Sequence, residues 1–167
     1  TPDELQELAR RSDALVVTAF DRFDAPAIAK LPPALRIVAT YSVGFEHIDV
    51  TAARAKGIAV LYTPDVLSDA VAEMAILLML GAARRAHEGT ELLYARKWNG
   101  WTPTQLIGIE ITGRRIGIFG MGRIGRTIAR RARGFDMPVH YHNRSPLEAA
   151  LADGATFHAS PDALMRE

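Results

Sequence analysis

Short apolar runs alternate with helical periodicities along the first 66 residues. Ala14-Leu15-Val16-Val17 reads as a buried strand, a helix follows around Asp24 to Lys30, and Arg36-Ile37-Val38-Ala39-Thr40 has the β-branched core of a second strand. Ile48 to Lys56 is helical in pattern, Gly57 ends it, and Ile58-Ala59-Val60-Leu61 makes a third strand before Thr63-Pro64 breaks the run. Upstream, Thr1-Pro2-Asp3-Glu4 has the capping hydroxyl, early proline and first-turn acids of a helix start, with Leu5 and Leu8 on its inner face. Strands alternating with helices predict a parallel sheet covered on both faces.

From about Ser68 the pattern becomes one long helix reaching Arg84 or Arg85, and its apolar run Ala70 to Leu80, with Glu73 inside, predicts a buried helix. Ala86 to Thr112 is polar, carries Trp98 and Trp101, and reads as an irregular connection. Alternation then resumes, with Arg115 to Phe119 as strand, Arg123 to Arg133 as helix and Val139 to His142 as strand. Ser145-Pro146-Leu147-Glu148 has the form of a capping box, Ala155-Thr156-Phe157 is a further strand, and Ser160-Pro161-Asp162 starts another helix. The sequence stops about one turn into that helix, too short to offset its nucleation cost, so the reading is of a fragment.

With 167 residues, 49% hydrophobic and 23% charged, the composition is that of an ordinary globular chain, which excludes disorder. Twenty basic and nineteen acidic side chains leave a net charge of +1, so neither nucleic acid nor a membrane surface is expected as a partner without a local patch. Arg123, Arg126, Arg130, Arg131 and Arg133 resemble such a patch, but most lie opposite the Ile124/Ile128 stripe and read as a solvated helix face. The absence of cysteine removes disulfides, thiolate metal sites and cysteine nucleophiles, and fits a reducing compartment. His47, His87, His140, His142 and His158 have no ligand spacing, so no metal site is expected.

Gly120-Met121-Gly122-Arg123-Ile124-Gly125 is a G-x-G-x-x-G that follows an apolar strand and opens a helix leading to a second strand, the βαβ setting in which it binds a dinucleotide. Gly120 turns the chain, Gly122 lets backbone N–H groups approach a pyrophosphate, Gly125 lets helix and strand pack, and the phosphates sit on the positive end of the helix. Arg123 lies in this phosphate loop. At the end of the second strand, where an acid would meet the ribose hydroxyls of NAD, stand Asn143, Arg144 and Ser145. A guanidinium and a hydroxyl without a carboxylate favour a 2′-phosphate, making NADP the expected cofactor and NAD the second choice. Asn143 as a turn residue and Ser145 as a helix cap are the alternatives.

Thr40 to Asp49, Thr63 to Glu73 and Gly113 to Ser145 together resemble the D-2-hydroxyacid dehydrogenase family, most closely its glyoxylate/hydroxypyruvate reductases. The resemblance implies an α/β chain: part of a flavodoxin-like substrate-binding domain over 1–66, then an incomplete, Rossmann-like, doubly wound parallel sheet over 67–167. It implies backbone N–H groups near Val43 and Gly44 holding a substrate carboxylate, Val71 near the nicotinamide, and Thr63-Pro64 near a hinge. For Ser42 to Gly44 an ordinary turn is the alternative. The arm around 86–112 resembles the family's dimerisation segment, implying a homodimer, with intrachain packing of the tryptophans as the alternative. The family's catalytic arginine, glutamate and histidine come after the region where this sequence stops, so no residue here is assigned a catalytic role and the fragment is expected to be inactive. The complete protein is expected to be a cytoplasmic reductase of small 2-oxo acids, with a dinucleotide-sensing, corepressor-like binding protein as the competing reading.

Overall fold

The computed structural model describes residues 7–167, so the helix start at Thr1 to Glu4 and Leu5 lie outside the described residues. The chain divides into two compact units, one running through Leu67 and the other Ser68–Glu167. In the first, β1 (Ala14–Val17), α1 (Ala25–Ala29), β2 (Ile37–Thr40), α2 (Val50–Ala55) and β3 (Ala59–Leu61) follow in order. The strands are parallel in the order β1-β2-β3, with Leu15 beside Val38 and Val38 beside Val60.

Aspartates start both helices: Asp24 accepts the Ala27 N–H at 3.1 Å and Asp49 the Ala52 N–H at 2.9 Å. Ile28 and Ala53 then reach the sheet face made by Leu15, Val17 and Val38. The Lys56 ammonium donates to the carbonyls of Ile28, Ala29 and Leu31, adding donors where the backbone N–H groups run out at and just past the end of α1.

The opposite face is open, with Val16 78% and Leu61 51% exposed, which corrects the expectation of a sheet covered on both sides. Crossovers between parallel strands are right-handed, so helices joining strands laid down in sequence order fall on the same side. Covering both faces requires strand order to reverse, as in a doubly wound sheet, and among the described residues neither sheet contains that reversal.

The second unit holds α3 (Ser68–Ala83), α4 (Ala86–Tyr94), β4 (Ile116–Phe119), α5 (Arg123–Ala132), a 3-10 turn (Arg133–Phe135), β5 (Val139–His142), α6 (Ala149–Ala152), β6 (Thr156–Phe157) and α7 (Pro161–Met165). Its sheet is parallel in the order β4-β5-β6. Ile118, Val139 and Tyr141 form its core with Met121, Ala129 and Ala152.

Three local expectations are corrected here. Residues 86–94 are helical, not irregular: Arg85 takes a left-handed backbone (φ 54°) that separates α4 from α3, and its guanidinium pairs with Glu88 in the first turn. Helix α3 is not buried, since Met74, Leu77 and Leu78 are 53%, 61% and 64% exposed and only Ala72 is enclosed. A helix apolar all round needs partners all round, and these three side chains have none covering them. Ser145 to Glu148 forms no capping box, because α6 starts at Ala149 with Glu148 as an N-cap lacking a side-chain bond. The Tyr141 hydroxyl instead accepts the Leu147 N–H at 2.9 Å, holding this segment off the helix. Ser160 does cap its helix, accepting the Ala163 N–H at 3.1 Å.

Candidate functional site

In the second unit the chain leaves β4 through Gly120, whose φ of +88° only glycine adopts without strain. Gly122 is the N-cap of α5 and supplies no side chain to it. A Cβ at Gly125 would run into the Gly120 carbonyl, whose carbon would lie 3.2 Å away, so the third glycine lets α5 approach the loop. At Gly122 a Cβ would meet nothing within 4 Å. The free fold therefore does not need glycine there, and the space above it is what a close-lying ligand would use. The N-terminus of α5 presents amides without intrahelical acceptors and the positive end of the helix dipole.

Gly120, Gly122, His142, Asn143, Arg144 and Ser145 line one cleft of about 500 Å³. The structure thus gathers most of the expected cofactor residues. Arg123 and Ile124 form the first turn of α5 beside it, with Gly125 buried beneath. Val71, in the first turn of α3, is not among the residues lining the cleft. An open glycine loop at an uncapped helix end fits a dinucleotide pyrophosphate.

Asn143 has a task that sequence reading missed. Its Oδ1 accepts the Met121 N–H at 2.7 Å, tying the end of β5 to the glycine loop. What the amide can still offer is its two N–H donors. Arg144 is exposed and makes no ion pair among the described residues. The nearby histidines bond to one another's segments: His140 Nδ1 lies 2.9 Å from His158 Nε2, and His142 Nδ1 donates to the His158 carbonyl at 2.8 Å. Among the described residues no group of three or more such side chains could hold a metal ion.

Arginines of α5 and of the 3-10 turn after it pair with acids at the surface. Arg130 and Arg131 reach Asp69 at 3.4 and 2.9 Å, Arg131 also meets Glu73 at 3.4 Å, and Arg133 pairs with Asp153 at 2.8 Å. The hydrogen bond to Asp69 raises the already strongly basic Arg131 guanidinium. Acid partners from α3 and the turn after α6 thus add surface ion pairs to the solvated face expected from spacing alone.

In the first unit, residues 41–48 leave β2 as a loop held at both sides. Ser42 donates its hydroxyl to the Gly44 carbonyl at 2.6 Å, while the Ser42 carbonyl accepts from both the N–H and the hydroxyl of Thr63, each at 3.1 Å. Thr40 Oγ1 lies 2.6 Å from Ser42 Oγ and 2.9 Å from His47 Nε2. The N–H groups of Val43 and Gly44 have no acceptor among the described residues. They are two successive donors left for an acceptor from outside the chain. A Cβ at Gly44 would overlap the Glu46 carboxylate, which lies against the loop. Thr40 and His47 were not legible as parts of this site, because nothing in the spacing of a strand threonine and a histidine seven residues on marks a shared hydrogen bond.

The family profile described as D-isomer specific 2-hydroxyacid dehydrogenase, catalytic domain, matches residues 1–164. Glycerate dehydrogenase from Hyphomicrobium methylovorum is 42% identical over 168 aligned residues, which cover 99% of this chain and 52% of that protein. Glyoxylate reductase from Thermococcus kodakarensis is 43% identical, over 98% of this chain and 50% of that protein. A crystal structure from Polaromonas sp. JS6 66, assigned to the D-isomer specific 2-hydroxyacid dehydrogenases, NAD-binding, superposes with a TM-score of 0.87 at 54% identity, over 98% of this chain and 51% of that one. The chain spans about half the length of the curated relatives it matches.

Proposed function

The chain belongs to the D-isomer specific 2-hydroxyacid dehydrogenase family, and from that premise we propose that the protein it builds reduces small 2-oxo acids of the glyoxylate/hydroxypyruvate type to 2-hydroxy acids. The observation that carries this reading is the glycine cradle at the uncapped start of α5, open where Gly122 lacks a side chain. In this reading β4, β5 and β6 are the opening strands of a Rossmann-like dinucleotide-binding domain over 67–167, and 1–66 is part of a flavodoxin-like substrate domain.

The cofactor supplies the hydride; the residues of this chain bind and orient. The α5 amides, with Arg123 beside them, hold the pyrophosphate. Asn143 N–H groups, the Arg144 guanidinium and the Ser145 hydroxyl face the adenosine end, a set made of donors and one cation that suits the 2′-phosphate of NADP better than a bare ribose. NAD is the second choice, and the Polaromonas relative is described as NAD-binding. The Val43 and Gly44 amides receive the substrate carboxylate, and Val71 packs near the nicotinamide. The arm of 86–112, where Tyr94 and Trp101 are exposed, is read as the surface that makes a homodimer. No residue of this chain is given a catalytic role.

Calorimetric titration of this chain with NADPH and NADH, and NADPH oxidation by the whole protein on adding glyoxylate or hydroxypyruvate, test the reading. Tighter binding of NADPH together with turnover is expected. Binding by a whole protein that reduces neither acid would mark a dinucleotide-sensing module instead, and no uptake of either nucleotide by folded chain would overturn both.

A further inference from the structure

We propose that His47 is a positioning residue for the substrate loop, acting through Thr40 and Ser42; the inference rests on the reading of Val43 and Gly44 as the carboxylate cradle. The direction of the chain follows by elimination. A carbonyl cannot donate, so the 2.6 Å contact of Ser42 Oγ with the Gly44 oxygen consumes the only Ser42 hydroxyl proton. The 2.6 Å contact between Ser42 and Thr40 is then donated by Thr40, whose single proton is spent in turn. The 2.9 Å contact between Thr40 and His47 Nε2 must therefore be donated by the histidine. Three hydrogens are ordered in one direction, from the imidazole N–H to the carbonyl of Gly44.

Thr40 is 2% exposed, so its oxygen cannot turn to bulk water when the histidine is removed. Each bond in such a chain polarises the next. Its last member fixes the Gly44 carbonyl and, because the peptide unit is planar and trans, the plane of the Gly44–Phe45 peptide; the Ser42–Val43 peptide, which carries the Val43 N–H, is held through the Ser42 carbonyl, so the Val43–Gly44 peptide is confined between two fixed planes. Thr63 clamps the other side through the Ser42 carbonyl. The Val43 and Gly44 N–H groups, bonded to neither clamp, are left presented to an anion.

The experiment compares His47→Phe, which keeps a ring and loses the donor, with His47→Gln, which keeps an N–H donor, in the whole protein. Expected for His47→Phe is a rise of about tenfold in KM for glyoxylate, the scale of one lost hydrogen bond, with KM for NADPH and kcat within about twofold of wild type. His47→Gln should recover most of the loss. Nitrogen-15 NMR of the unsubstituted chain should find the His47 proton on Nε2. An unchanged KM for glyoxylate in a folded His47→Phe protein, or a proton on Nδ1 with Nε2 bare, overturns the inference. If His47→Phe does not fold, the tautomer alone decides. A wild-type protein that reduces no 2-oxo acid overturns the proposed function and this inference with it, whereas an active wild type indifferent to His47→Phe overturns this inference only.

Discussion

Asn143 Oδ1 accepts the backbone N–H of Met121 at 2.7 Å, so one side chain both anchors the glycine loop and lines the cleft proposed to take the adenosine end of the cofactor. The two roles separate by substitution. Asn143→Asp keeps the acceptor and adds a negative charge; combined with Arg144→Ala it should move the kcat/KM ratio of the whole protein toward NADH while the melting temperature holds. Asn143→Ala abandons a half-buried amide and should lower stability by about 1–3 kcal/mol in a denaturant titration.

The glycines of the fingerprint make opposite predictions about stability and binding. Gly125→Ala places a methyl against the Gly120 carbonyl and should destabilise the chain by about 1–3 kcal/mol, visible as a lowered Tm. Gly122→Ala meets nothing in the free protein and should leave Tm unchanged while dinucleotide affinity falls several-fold. A Gly122→Ala chain that binds NADPH normally would remove the pyrophosphate from this loop.

Lys56 spends its ammonium on the carbonyls of Ile28, Ala29 and Leu31. Lys56→Met keeps the apolar stem and leaves those acceptors short of a donor, with an expected loss of about 1–3 kcal/mol by chemical denaturation. An Arg54→Met control, on the same helix and exposed, should cost far less.

Much of this architecture follows from the sequence pattern. The strand runs at Ala14 to Val17 and Val139 to His142 and the capped helix start at Ser160 stand where the pattern puts them, and the helices read over Asp24 to Lys30 and Ile48 to Lys56 are found within those bounds, each begun by an aspartate cap that the periodicity alone did not single out. What the pattern could not carry is pairing across distance. The Asn143–Met121 bond joins residues 22 apart, and the Arg131–Asp69 pair joins residues 62 apart. Helix α4 was hidden for a different reason: Arg85 breaks the backbone by its left-handed angle alone, and Ala86 to Tyr94 is too polar to carry an apolar stripe.

The Glu46 carboxylate lies against Gly44, on the loop proposed to receive another carboxylate. Glu46→Gln removes that like charge at nearly constant shape, so KM for glyoxylate in the whole protein should fall, and the difference should shrink at high salt.

The hydrogen bond from Arg85, with the charges of Arg85 and His87 added to it, holds the Glu88 carboxyl below its ordinary range, against a smaller opposing effect of desolvation. A carboxyl depressed in the folded state stabilises it above the ordinary carboxylate range, and that contribution disappears as pH falls through the folded-state value. Glu88 should titrate by NMR at lower pH than a free glutamate, and Arg85→Gln should move its midpoint upward. Both partners are solvent-exposed, so the effect on Tm should be slight.

Met74, Leu77 and Leu78 lie three and four residues apart, on one side of α3, and all three are wetted. Sulfate strengthens the cohesion of such oily ridges between molecules while screening the attraction between guanidinium and carboxylate. Concentrated ammonium sulfate should therefore make solutions of this chain turbid early, and a mild nonionic surfactant, by coating the ridge, should keep them clear.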